Sequence, residues 1–355
     1  MRRHRIGYLP GDGIGPEVLA QARRVLDEAA RLGAFQLDWE DLPYGSEHYL
    51  ATGETLPAEA LERMRGMDAI LFGAIGDPRI ERGMLERAIV SGIRFGLDLY
   101  VNLRPVRLYA EALCPLKDKG REQVDLVVVR ENTEDLYAGI GGFFRKGTPE
   151  EVAVQEMILT RRGADRILRF AFEQARRRPR KRLVLVDKAN AIAAFDLWRR
   201  AYEEIGAEYP DVRRETLYVD AAAMRLVREP EWFDTVVTSN VFGDILTDLG
   251  AALSGGMGLA ASANLHPGRV SMFEPIHGSA PDIAGKGVAN PLAAILAGAM
   301  LLEHVGEARA AATVEAAAAS CLSDGTIRTG GANSGFSTGG IGDLVLGRLA
   351  ACSGA

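Results

Sequence analysis

Four short apolar runs constrain this chain most: Ala69–Phe72, Leu126–Val129, Leu183–Val186 and Thr235–Thr238. None alternates with polar residues, as a strand buried on both faces must not, and such a sheet needs helices above and below it. Longer helical patterns separate the runs, so an α/β fold with helices flanking a central sheet is expected. His4–Leu9 reads as a further strand, and Ile14–Leu32 as a helix with Pro16 in its first turn. Pro291–Leu302 and Arg309–Cys321 read as alanine-rich helices. Polar residues follow the carboxyl ends of the strands, where open α/β sheets bind ligands.

With 355 residues the chain exceeds one ordinary core, and two domains or one large α/β unit are expected. The net charge of −6 gives no support to nucleic-acid binding, because phosphate-seeking proteins usually carry a basic excess. The basic run Arg176–Arg182 lies between a helical pattern and a strand and reads as a solvated helix end. Cys114, Cys321 and Cys352 are too few and too scattered for a disulfide framework or a thiolate zinc site. They fit a reducing compartment, and the expected location is the cytoplasm. No apolar run reaches the ~18 residues that span a bilayer, so no membrane partner is expected.

The strongest local signal is Asn240-Val241-Phe242-Gly243-Asp244-Ile245-Leu246-Thr247-Asp248, entered directly from the strand Thr235–Thr238. On a helix, Asp244 and Asp248 project from one face, one turn apart. Two like charges there call for a cation, and a hard divalent ion such as Mg²⁺ or Mn²⁺ takes such oxygen ligands. The competing reading is an acidic first turn favoured by the helix dipole. Asp220 follows the run Leu217–Val219 and alone reads as a turn residue or a helix cap. Arg94, Arg104 and Arg130 stand at helix and strand ends and suit carboxylate recognition, although any single arginine more often makes a surface ion pair. Lys188 follows a buried strand and is a candidate base; Tyr137 offers a hydroxyl as a candidate acid.

Gly11-Asp12-Gly13-Ile14-Gly15-Pro16 follows a strand and opens a helix, but it is not G-x-G-x-x-G, so an ordinary Rossmann site is rejected there. The stretch Glu274–Pro291 reads as a long glycine- and proline-rich loop carrying His277, Asp282 and Asn290, and loops of that length seldom persist without a use. A carboxylate on an adenosine ribose accepts from the 2′-hydroxyl and repels a 2′-phosphate, so Asp282 argues for NAD over NADP.

Taken together, these segments resemble the metal-dependent β-decarboxylating dehydrogenases, the family of isopropylmalate, isocitrate, homoisocitrate and tartrate/D-malate dehydrogenases. Asn240–Asp248 and Glu274–Pro291 are the most specific parts of the match, which extends over essentially the whole chain. Gly73–Pro78 and Asn102–Tyr109 are most similar to the isopropylmalate branch. The resemblance implies a two-domain, non-Rossmann fold with a mixed central sheet. Residues 1–99 and 255–355 would form the larger NAD-binding domain, and residues 100–254 a smaller one with the dimer interface. It implies NAD- and metal-dependent oxidative decarboxylation of a 3-substituted (2R)-malate, a small 2-hydroxy diacid, with 3-isopropylmalate (leucine biosynthesis) the leading substrate. Arg94, Arg104 and Arg130 would hold its carboxylates. Asp244 and Asp248, with Asp220 of the partner subunit, would hold Mg²⁺ or Mn²⁺. Lys188 of the partner subunit would be the base and Tyr137 the acid, so a homodimer with shared sites is implied. Ile14, Glu274, His277, Gly278, Ser279, Ala280, Asp282 and Asn290 would line the cofactor site.

Two segments depart from the pattern. In the helix before Arg94, Val90 and Ser91 replace the leucine pair that isopropylmalate enzymes set against the isopropyl group. Arg87 stands where relatives carry a glutamate near the nicotinamide, with Glu86 as a substitute. Tartrate, D-malate, or a malate with a polar or anionic γ-group is therefore the alternative substrate, with Arg79 and Arg82 available to assist. Arg328–Ser334 lacks the aspartate expected near the adenine. A non-catalytic subunit of the same fold is the alternative of another class, and the presence of Lys188, Tyr137, Asp220, Asp244 and Asp248 speaks against it.

Overall fold

The computed structural model describes residues 1–332 and 334–353; Asn333, in the divergent Arg328–Ser334 segment, lies outside them. The chain forms two compact units. One contains residues 1–99, 104–124 and 250–355, and the other residues 100–103 and 125–249.

In chain order the first unit opens with β1 (Arg2–Gly11), α1 (Gly15–Gly33), β2 (Phe35–Asp41), α2 (Ser46–Thr52), α3 (Ala58–Arg65) and β3 (Ala69–Ala74). A π-helical turn, Glu86–Ser91, then runs into α4 (Gly92–Gly96), and β4 (Val101–Arg107) follows. The second unit holds β5 (Asp125–Glu131), β6 (Gly141–Phe144), β7 (Val152–Gln155), α5 (Arg161–Arg177), β8 (Arg182–Asp187) and α6 (Phe195–Gly206). It continues through β9 (Arg213–Tyr218), α7 (Val219–Arg228), β10 (Thr235–Thr238) and most of α8 (Asn240–Leu253). The chain then returns to the first unit as β11 (Ala261–Leu265), β12 (Ser271–Pro275), α9 (Leu292–His304), α10 (Ala308–Ser323) and α11 (Thr338–Ser353).

Strands in the first unit lie in the order β2-β1-β3-β12-β11. Every pair is parallel except β11 with β12, which makes the sheet mixed. The second unit carries β5-β10-β8-β9, all parallel. β3 and β10 are buried along their whole length, as their unbroken apolar sequences require. Residues 104–124 group with the chain ends for a visible reason. Arg107 Nη1 and the Tyr109 hydroxyl donate to Glu315 of α10 at 2.6 and 3.0 Å.

Three expectations need correction. Glu274 and Pro275 are not loop residues but the buried end of β12, because the antiparallel pairing with β11 extends to Ala261 opposite Pro275. Asp220 lies inside the first turn of α7, whose N-cap is Tyr218. The basic run is pinned rather than simply solvated: Arg176 pairs with Asp211 at 2.8 Å, and Arg178 with the fully buried Asp234 at 2.7 Å. No helix among the described residues is long and apolar enough to cross a membrane.

Candidate active site

In the second unit, β10 delivers the chain into α8, which begins at Asn240, so Asp244 and Asp248 stand beyond its first turn. Their placement therefore owes little to the helix dipole, whose effect fades after one turn. Arg130, buried at the end of β5, reaches this helix. Its Nε and Nη2 donate to Asn240 Oδ1 at 3.0 and 2.7 Å, and its Nη1 donates to Asp244 Oδ1. Gly243 makes room for this, since a β-carbon there would meet the Arg130 side-chain stem. Tyr137, half-exposed on a 3₁₀ turn at Leu136–Ala138, donates its hydroxyl to Asp244 Oδ2 at 3.1 Å. Arg130 also lies 5.5 Å from the Tyr137 ring centroid. Arg130, Tyr137 and Asp244 thus form one cluster, and Asn240, to which sequence reasoning gave no role, anchors its arginine.

Lys188 and Asp220 form a second pair in the same unit, with Nζ to Oδ1 at 2.8 Å. Asp187, fully buried at the end of β8, shapes the lysine's turn. Its carboxylate accepts from Ala189 N–H at 3.0 Å and from Arg199 at 2.8 and 3.0 Å. The Lys188 ammonium holds the Asp220 carboxyl below its usual range. Among the described residues no three carboxylate, histidine or cysteine side chains converge to hold a metal. One chain therefore offers two carboxylates on the α8 face and keeps Asp220 with Lys188.

In the first unit, the Gly11–Gly15 loop docks against Ser279. Ile14 N–H donates to Ser279 O at 2.8 Å. Gly13 has φ +58°, and a β-carbon there would collide with the Ser279 carbonyl. Asp12, buried and unassigned from sequence, ties the loop together: Oδ1 accepts from Ser46 N–H at 2.6 Å and Oδ2 from Gly76 N–H at 2.9 Å. Ala280 is held at φ +40°, a conformation that functional turns tend to retain. His277 Nδ1 approaches Gly278 O at 3.0 Å, while Nε2 is buried without a partner. Burial pushes this imidazole below its usual range. Asp282 is exposed and makes no hydrogen bond or ion pair with a described residue. Asn290 is partly structural: Oδ1 accepts from the N–H of Leu292, the first residue of α9, at 3.0 Å, and Nδ2 donates to Thr329 O at 3.2 Å. The divergent C-terminal segment thus touches this region through a backbone carbonyl.

Glu274, expected at the cofactor, also binds Arg94. One oxygen, Oε1, accepts from Arg94 Nη2 and from Asn264 Nδ2, both at 2.7 Å. Asn264 was invisible from sequence because nothing near it in the chain announces the contact. Arg104 is buried in β4. Leu85, Ile89, Ile93 and Leu97 bury one face of the segment around Arg94, with Val90 packed at the margin and Ser91 half-buried. Its turn is π-helical, a form often found at functional sites. Arg79, half-exposed, pairs with Asp77 and Glu47.

With these clusters in place, comparison with known proteins is decisive. Residues 5–345 match the isocitrate/isopropylmalate dehydrogenase family. The chain is a member of that family. It is 49% identical over 352 residues to a 3-isopropylmalate dehydrogenase of Thermobifida fusca, covering 98% of each chain. It is 53% identical to one of Frankia casuarinae, over 90% of this chain and 93% of that one. Among solved structures, an isocitrate dehydrogenase from Methylococcus capsulatus superposes with a TM-score of 0.88 at 38% identity, covering 98% of this chain and 99% of that chain. Membership makes the chain a dehydrogenase acting on a CH–OH group.

Proposed function

We propose that this chain is a 3-isopropylmalate dehydrogenase, oxidising the C2 hydroxyl of its substrate and releasing the β-carboxylate as CO₂. The observation that carries this reading is near-full-length identity of about half to relatives of that name. NAD would supply the hydride acceptor, and a divalent cation, Mg²⁺ or Mn²⁺, would steady negative charge on the C2 oxygen.

Asp244 and Asp248 suit that cation as hard oxygen donors on one helical face, completed by Asp220 of the partner subunit. His277, Gly278, Ser279, Ala280, Asn290, Ile14 and Glu274 would surround the cofactor, and the unpartnered His277 Nε2 is a hydrogen-bonding group fit for an adenine. The unengaged Asp282 would favour NAD over NADP. Arg94, Arg104 and Arg130 would grip the substrate carboxylates, with Val90 and Ser91 against its γ-group. Lys188 of the partner subunit would take the hydroxyl proton. The electrons of the breaking carbon–carboxylate bond move onto the C2 oxygen as CO₂ leaves, and Tyr137 would deliver a proton to C3.

A homodimer suits this sharing. β6 and β7 form an isolated two-stranded sheet exposed on both faces, with Phe143, Phe144, Val152 and Val154 in solvent. Met224, Val227 and Ile245 are likewise exposed on α7 and α8. Apolar surface of that extent suits a subunit contact. The three cysteines are unpaired, which suits the cytoplasm.

A second reading, a malate with a polar or anionic γ-group, is favoured by Ser91 and by the exposed Arg87. Comparing kcat/KM for 3-isopropylmalate, D-malate, tartrate, isocitrate, homoisocitrate and a phosphonomethyl analogue separates the two. 3-Isopropylmalate is expected to lead, with NAD preferred. A larger value for any other substrate would overturn the assignment.

A further inference from the structure

Asp135 is fully buried and adopts φ +69° and ψ −152°, a region that glycine occupies freely and other residues avoid. A chain needing only the bend would be better served by glycine. Every polar group of Asp135 is used. Its N–H donates to Ile158 O at 2.8 Å, and its carbonyl accepts from Ala138 N–H at 3.2 Å. Oδ1 accepts from Leu136 N–H at 2.8 Å, and Oδ2 accepts from Val241 N–H at 2.9 Å. Leu136 opens the 3₁₀ turn that carries Tyr137, and Val241 lies in the first turn of α8, where amides lack intrahelical acceptors. One carboxylate therefore joins the tyrosine's turn to the helix that bears Asp244.

The same two elements meet again through the Tyr137 hydroxyl on Asp244. That outer contact has to open when the phenol turns to a substrate, whereas the inner contact through Asp135 is made to backbone amides and persists. Asn240 Nδ2 on Glu134 O, at 3.2 Å, adds a longer tie beside it. We infer that Asp135 is a positioning residue, holding the turn that carries Tyr137 in register with the helix that bears Asp244 during proton delivery. This rests on the reading of Tyr137 as the proton donor.

The test measures kcat, KM and Mn²⁺ affinity for Asp135→Gly, Asp135→Asn, Tyr137→Phe and Asp135→Gly/Tyr137→Phe. Asp135→Gly relieves the backbone while removing the carboxylate, and Asp135→Asn carries the same comparison should the glycine variant fold poorly. The expected result is a fall in kcat of ~10-fold or more with KM for 3-isopropylmalate and Mn²⁺ affinity within ~3-fold. In the Tyr137→Phe background the same change is expected to cost less than ~2-fold, because the two residues act as a unit. Full kcat in Asp135→Gly or Asp135→Asn with an impaired Tyr137→Phe would overturn the inference and leave the tyrosine reading intact. An equal loss in both backgrounds would make Asp135 merely structural and overturn it too. Full kcat in Tyr137→Phe would overturn the tyrosine reading itself, and the inference with it.

Discussion

Glu131 closes β5 beside Arg130, and its carboxylate accepts from Thr133 N–H, the Thr133 hydroxyl and Glu134 N–H at 2.8, 2.9 and 2.8 Å. Burial outweighs these bonds and pushes its carboxyl up to about 7 from an ordinary 4.5, with the nearby Glu134 charge adding to the rise. The native state therefore holds a proton that the unfolded chain releases between those values. Stability from this group is fully present below about pH 4.5, declines as pH rises and is lost above about pH 7, a swing of the order of 3 kcal/mol. Glu131→Gln is expected to flatten the melting-temperature profile between pH 5 and 8 relative to the parent chain; an unchanged slope would place the titration elsewhere. Gly13 makes a different prediction. Alanine there collides with the Ser279 carbonyl at an unfavourable φ, so Gly13→Ala should raise KM for NAD by ~10-fold or more with a smaller change in KM for the substrate. Initial rates with NAD varied at saturating substrate decide it.

The π-helical turn Glu86–Ser91 governs how Val90 and Ser91 are presented, since its wider winding rotates them relative to a plain α-helix. Restoring bulk there with Val90→Leu/Ser91→Leu should increase the preference for 3-isopropylmalate over D-malate by ~10-fold or more, the scale of one large apolar contact. The ratio of kcat/KM values measures it, and no change would mean that the γ-group lies elsewhere. Elements with a one-dimensional signature were legible in sequence: the strands buried on both faces, the amphipathic α1, and the two aspartates of α8. The β6–β7 arm was not, because both its faces are exposed, β6 begins Gly141-Gly142, and each strand is only four residues long. Glu274 and Pro275 were misread because proline and glycine beyond them give the whole stretch a loop-like composition. Arg94 and Glu274 stand 180 positions apart, and no local pattern reports such a contact. Asp135 was obscured for the opposite reason, lying two residues from the more conspicuous Tyr137.

At the scale of the whole molecule, a shared site predicts complementation. In the proposed arrangement Lys188 and Asp220 serve one site while Tyr137, Asp244 and Asp248 of the same chain serve the other. Lys188→Ala and Asp248→Asn homodimers should each be inactive. Unfolded together and refolded, they should regain about a quarter of the parent activity, since half the dimers are mixed and each mixed dimer has one intact site. Persistent inactivity of the mixture, with dimers present by sedimentation, would place all the groups in one chain.

β3 pairs on one side with β1 and on the other with β12, a strand that begins at Ser271. On a ribosome adding about 5–20 residues per second, β3 waits roughly 10–40 s for that neighbour. Throughout that interval a wholly apolar strand presents open backbone amides, the configuration most prone to pairing with another nascent chain. The insertion that gives the enzyme its second unit thus leaves its first unit unfinished for most of synthesis. Expression yield should depend on chaperones that shield that edge until translation ends.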